Sequence, residues 1–151
     1  MKKVMCALMS AVLLICGSLP ALGEISVSLA GLIRFMRPEA LEPMEVSEEE
    51  FAEGLVYSAA GSEAEMYITV IQPADMTFDG LLSSCRADGA VSDLSDSQTG
   101  GLRCVRYRKN GSLYAQFILA GPDARVEFRF VSLSAEGEKQ IAGLLESVQS
   151  L

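Results

Sequence analysis

The chemistry open to this chain is bounded first by a residue type it lacks: histidine does not occur among its 151 residues. That removes serine–histidine–aspartate and cysteine–histidine catalysis, and most zinc sites with them. No glycine-rich loop leads from a strand into a helix to cradle phosphate, so no cofactor motif is read. Nine acids and no base fall between residues 39 and 65. Such a run is ordinarily a solvated face. A calcium ion would want about six to eight oxygens from a DxDxDG-type loop, which the run does not contain; Asp93 and Asp96 fare no better. The opposite charge gathers elsewhere, with Arg103, Arg106, Arg108 and Lys109 inside seven residues and Tyr107 and Tyr114 nearby. Arginine with tyrosine is the pairing that protein interfaces favour. Arg106, Arg108, Lys109, Tyr107 and Tyr114 are therefore the candidate partner-binding residues. The competing readings are charges that keep a sheet edge soluble, or cations paired with the chain's own acidic segment.

The first 23 residues, MKKVMCALMSAVLLICGSLPALG, carry the three parts of an export signal. Lys2 and Lys3 give the positive start, and Val4 to Cys16 is an uncharged run of 13 residues, short for a bilayer-spanning helix. Ser18 and Pro20 follow, then Ala21-Leu22-Gly23, so cleavage is expected before Glu24. Lipidation at Cys16 is disfavoured because bulky Ile15 stands where that processing wants a small residue. Loss of the leader removes two of the 12 basic residues and none of the 20 acidic ones. The remaining 128 residues, enough for one domain, then carry a net charge of −10. Nucleic acid and anionic lipid are poor partners for that charge. Two cysteines stay, Cys85 and Cys104. An even count outside the cytoplasm favours a disulfide, closing a loop of about 20 residues worth roughly 3 kcal/mol; two buried free thiols are the alternative.

The elements that must position these groups follow from hydrophobic period. Residues 25–37 read as extended structure broken near Gly31 and ended by Pro38. Ser47 and Glu50 form a capping box for about one helical turn before Gly54. Residues 55–60 and 65–72 read as strands joined at Gly61-Ser62. Phe78, Leu81, Leu82 and Cys85 share one helical stripe, with Asp75 or Thr77 as cap and Gly89 beyond its end. Residues 88–101 are small, polar and turn-rich, and read as a surface loop. Asn110-Gly111 is the pair that a two-residue type I′ turn wants, and its acceptor-like Asn-Gly-Ser triplet needs no glycosylation to explain it. The turn sets Lys109 opposite Ser112, Tyr107 opposite Tyr114, Val105 opposite Gln116 and Cys104 opposite Phe117. Leu102, Cys104, Phe117 and Leu119 then share a face, and a helix packed there through its stripe would carry Cys85 to Cys104. Ala124–Leu133 is a further strand with Val126, Phe128 and Phe130 on one side and Arg125, Glu127 and Arg129 on the other. Ser134 caps a last helix with the stripe Ile141, Leu144, Leu145, Val148. The order implies an α+β fold: an antiparallel sheet of about six strands with helices packed on its faces.

One family shares this pattern. Leu32-Ile33-Arg34-Phe35-Met36-Arg37-Pro38 opens the domain, and Gly101-Leu102 starts a later strand. Val126-Glu127-Phe128-Arg129-Phe130 and Leu144-Leu145-Glu146-Ser147-Val148 close it. Over about residues 25–151 the chain resembles the PsbP-like superfamily, departing from it in having no tryptophan after the first proline. The resemblance implies a central antiparallel sheet between helices and a non-enzymatic binding or assembly role, with no catalytic residue to carry over. The expected function is an exported, non-catalytic binding or accessory domain acting on a protein partner at the cell envelope or outside. The alternative is a carrier of a small apolar ligand in a cavity lined by Phe78, Phe117 or Phe128. A carboxylate-dependent hydrolase is the third reading.

Overall fold

The computed structural model describes residues 23–99 and 101–151. The expected leader, with Cys6 and Cys16, lies outside them apart from Gly23. Strands β1 (Glu24–Leu29) and β2 (Ile33–Pro38) form a hairpin, and the terminal β10 (Gln149–Ser150) adds to β2, making a three-stranded sheet β1-β2-β10. The larger sheet has seven antiparallel strands: β3 (Glu42–Pro43), β4 (Leu55–Ala60), β5 (Glu65–Ile71), β6 (Val91–Thr99), β7 (Leu102–Lys109), β8 (Ser112–Leu119) and β9 (Ala124–Val131). Its spatial order is β3-β4-β5-β9-β8-β7-β6. Three helices complete the described residues: α1 (Glu48–Ala52), α2 (Phe78–Ala87) and α3 (Ala135–Glu146). This is the α+β architecture expected, with more strands than the pattern alone resolved.

The β7–β8 hairpin has the register that the Asn-Gly turn requires. Lys109 faces Ser112, Tyr107 faces Tyr114, Val105 faces Gln116 and Cys104 faces Phe117. Asn110 and Gly111 have φ of 51° and 79°, the left-handed pair of a type I′ turn. The caps are those read from the sequence: Ser47 with Glu50 on α1, Thr77 on α2 and Ser134 on α3. Val148 lies beyond the end of α3 but keeps its place in the core.

Because successive residues of a strand point to opposite faces, the large sheet has two distinct sides. Its inner face (Met66, Ile68, Cys104, Leu113, Ala115, Phe117, Val126, Phe128, Phe130) packs on Ile33 and Phe35 of β2 and on Ile141, Leu144 and Leu145 of α3. Phe128 is the hub, meeting Phe35 at 5.5 Å and Phe117 at 5.7 Å, both edge-on. The outer face is covered at the β6–β7–β8 end by α2, whose Leu81, Leu82 and Cys85 pack on Val105 and Tyr107.

Two expectations are corrected here. Cys85 and Cys104 are free. The stripe of α2 is as drawn, but it covers the Val105–Tyr107 face, while Cys104 points through the sheet toward α3 and β2. Both faces of β7 and β8 are apolar enough to take a helix, and α2 takes the other one. Residues 88–101 are also not a loop, because Val91–Thr99 is the edge strand β6, paired with β7. Its polar composition is that of an edge rather than of a turn, and Asp93, at φ 53°, sits in a register shift between Ser92 and Ser95.

Candidate functional site

Between α1 and α2 a strip of the outer face has no helix over it among the described residues. An open groove of about 360 Å³ lies there, lined by Glu50, Glu53, Leu55, Tyr67, Thr69, Tyr114, Glu127 and Arg129. Its floor is set by strand register. Arg129 on β9 stands between Tyr67 on β5 and Tyr114 on β8, and Tyr114 pairs onward with Tyr107. Arg129 lies over the Tyr67 ring at 4.9 Å, and the Tyr107 and Tyr114 rings stack at 5.0 Å. One row further along, Glu127 stands between Thr69 and Gln116.

The wall is α1, five residues long and with none of them buried. Its capping box is complete: the Glu50 N–H donates to Ser47 Oγ at 3.2 Å and the Ser47 N–H to Glu50 Oε2 at 2.9 Å. That bond to the Ser47 N–H holds the Glu50 carboxyl below its ordinary value. The helix runs into β4 through Gly54, at φ 101°, where a Cβ would come within 3.1 Å of the Val70 carbonyl oxygen. Phe51 on this helix is 65% exposed, and Met44 just before it 39%.

Groove electrostatics are acidic, with three carboxylates against the Arg129 guanidinium. Burial pushes Glu127 above the usual glutamate value, more than Arg125, Arg129 and Lys109 pull it down. Among the described residues Glu127 makes no ion pair. Its neighbour Arg125 donates instead to Gln116 Oε1 at 3.1 Å, and Gln116 Nε2 to the Tyr107 hydroxyl at 2.6 Å. Glu50 and Glu127 are thus pushed in opposite directions within one groove, yet Glu50 is committed to its cap and the chain has no histidine to activate a neighbouring hydroxyl. Among the described residues no three cysteine, aspartate or glutamate side chains gather as a metal site.

The candidate binding residues on the hairpin are mostly occupied or covered. Tyr107 is buried beneath α2, so it cannot be the contact residue that the sequence suggested. Lys109 pairs with Asp88 at 2.7 Å, and Arg108 with Glu138 and, at 3.5 Å, with Asp93. These cations are paired internally, with the residue that caps the end of α2 and with α3 and β6, rather than with the acidic segment. Arg106 is half-buried on the inner side, opposite Ala115. Tyr114 alone of the five lines the groove. Phe78 lies on the outer face under Arg103, 3.9 Å from its ring centroid, whereas Phe117 and Phe128 are sealed on the inner face. The three rings therefore do not line one ligand cavity.

Tyr67, Thr69, Glu127 and Arg129 went unread as a site. Their polar alternation along each strand was visible, but β5 and β9 are brought side by side by a long-range pairing that no local signal announces. No helix of the described residues is long and apolar enough to cross a membrane.

No family model matches the chain, and no curated protein matches it in sequence. Solved structures do. The solution structure of cyanobacterial PsbP (CyanoP) from Synechocystis sp. PCC 6803 aligns with a TM-score of 0.58 at 12% identity, over 89% of this chain and 98% of that one. A crystal structure from Bacteroides thetaiotaomicron aligns at 0.54 and 12% identity, over 85% of this chain and 48% of that one. With identity that low the likeness speaks for fold alone, and the fold is PsbP-like.

Proposed function

We propose that this protein is an exported, non-catalytic accessory domain that docks a protein partner, at the cell envelope or outside, through the groove between α1 and α2. The observation that carries this is the pairing of an uncovered tyrosine-lined sheet face with Phe51, a phenyl ring left 65% exposed on the short helix whose Glu50 and Glu53 line that face. Interfaces are anchored by such rings together with tyrosine and arginine. Export rests on the composition of residues 1–23, and the PsbP-like fold is consistent with an accessory role. Histidine is absent and both cysteine thiols in the domain are buried, which supports binding over catalysis.

The test is capture from envelope and secreted fractions by the chain as recovered from an exporting host. It runs beside the double variant Phe51→Ala, Glu53→Lys, both changes being at exposed positions. A specific protein held by the first and lost by the second is the expected result. Retention by both forms, or capture of nothing, would end the reading.

A further inference from the structure

The groove's own chemistry selects among protein partners, if docking there is granted. Its lining carries three carboxylates to one guanidinium, and the segment that forms its wall, residues 39–65, holds nine acids and no base. A partner with acidic contacts would meet an unfavourable field and a purely apolar one would gain nothing from it, whereas a basic one is drawn in. Glu127 lies in the floor, half-buried and without an ion pair among the described residues. A carboxylate half out of water, with cations nearby but none in ion-pair contact, still gains from a guanidinium or ammonium brought against it from outside. The rings beside it suit the same guest, because the sheet already seats one guanidinium, that of Arg129, over Tyr67.

Phe51 adds the second half of the specificity. It contributes nothing to the core, since α1 buries no residue, so its exposed ring serves no packing purpose within the fold. Phe51 is an exposed apolar side chain on the helix that carries two of the groove's carboxylates, and Met44, also exposed, precedes that helix. We propose that the groove binds a basic, extended segment of the partner, with an arginine or lysine reaching Glu127 beside the Tyr67–Arg129–Tyr114 row and a neighbouring apolar side chain packing on Phe51.

Fluorescence anisotropy on the chain as recovered from an exporting host tests this with three labelled decapeptides. One alternates arginine with leucine, one glutamate with leucine, and one arginine with serine. The arginine–leucine peptide should bind and the glutamate–leucine peptide should not. Replacing leucine by serine, or Phe51 by alanine, should weaken binding about tenfold through the lost apolar contact. Glu127→Gln should weaken it by about tenfold as well, since a charge-assisted bond becomes a neutral one. Added salt should weaken it further. Equal binding of the glutamate–leucine peptide, or a Glu127→Gln variant that binds unchanged, would overturn the assignment. So would spermidine displacing the peptide at equal charge concentration, because a free polyamine would then suffice. If no peptide binds while the partner capture described above still depends on Phe51 and Glu53, docking stands and only the chemistry assigned to the partner fails.

Discussion

Burial decides the chemistry of single residues in this protein more than local charge does. Cys104 sits at 1% exposure in the inner core, and loss of solvent pushes its thiol up to about 12. Cys85 is also raised, by burial first and by Asp88 second. Neither is a thiolate near neutral pH, and they lie in separate cores on opposite faces of the sheet. Titration of the folded chain with a thiol reagent at pH 8 should therefore find Cys85 and Cys104 almost inert, and the denatured chain should release both without added reductant. Glu127 shows the same rule with a functional edge. Its carboxyl is raised above 4.5, so the folded protein keeps a proton that the unfolded chain has released, and stability falls as pH climbs upward from that value. Glu127→Gln should accordingly raise the melting temperature at pH 7, with the gain vanishing below about pH 4. A residue whose replacement stabilises the fold while weakening binding is one kept for contact rather than for packing.

At the level of elements, helix ends and close approaches set what each piece can tolerate. The first turn of α3 docks on the loop before β5, where the Ser134 N–H donates to the Glu63 carbonyl at 3.1 Å. A Cβ at Gly137 would stand 2.0 Å from that same oxygen. Helix propensity would favour alanine there by about 1 kcal/mol. The clash outweighs it, and Gly137→Ala should lower stability by about 1–3 kcal/mol in denaturant melts. Helix α1 is the opposite case. Ser47→Ala removes the capping box at a local cost of about 1 kcal/mol. Because α1 buries nothing, global stability should hold while amide exchange at residues 50–53 accelerates, and groove binding should weaken with it. Caps, turn and register were all legible because each is written in a few adjacent residues: Ser47 with Glu50, Ser134, Asn110 with Gly111. Strand β6 was not, since serine, aspartate and glutamine at an edge look like a loop until a neighbour offers hydrogen bonds. Nor was the face that α2 would choose, because Val105, Tyr107, Tyr114 and Ile118 made the second side of the hairpin equally hospitable.

The whole molecule divides its labour between the two sides of the seven-stranded sheet. The inner side is filled by phenylalanines against α3 and β2, and holds the fold together. The outer side is partitioned, with α2 sealing one end and α1 standing loosely at the other, which leaves the groove between them. The α+β class and the PsbP-like pattern were readable because they depend on hydrophobic period along each element. The groove was not, because it exists only through the β5–β9 pairing, which joins residues about sixty apart in the chain. Its acidic wall was read as a solvated face, and Glu50 and Glu53 acquire a second meaning only once that sheet lies beside them. The central claim is that this strip, and not the rest of the surface, meets the partner. Photo-crosslinking tests it most directly, with benzoylphenylalanine placed at position 51 in one chain and at position 151 in another. Leu151 is the comparable control, 60% exposed beside β10 on the opposite layer. The account predicts a discrete protein adduct from position 51 and none from position 151. An adduct from 151 alone, or equally from both, would contradict it.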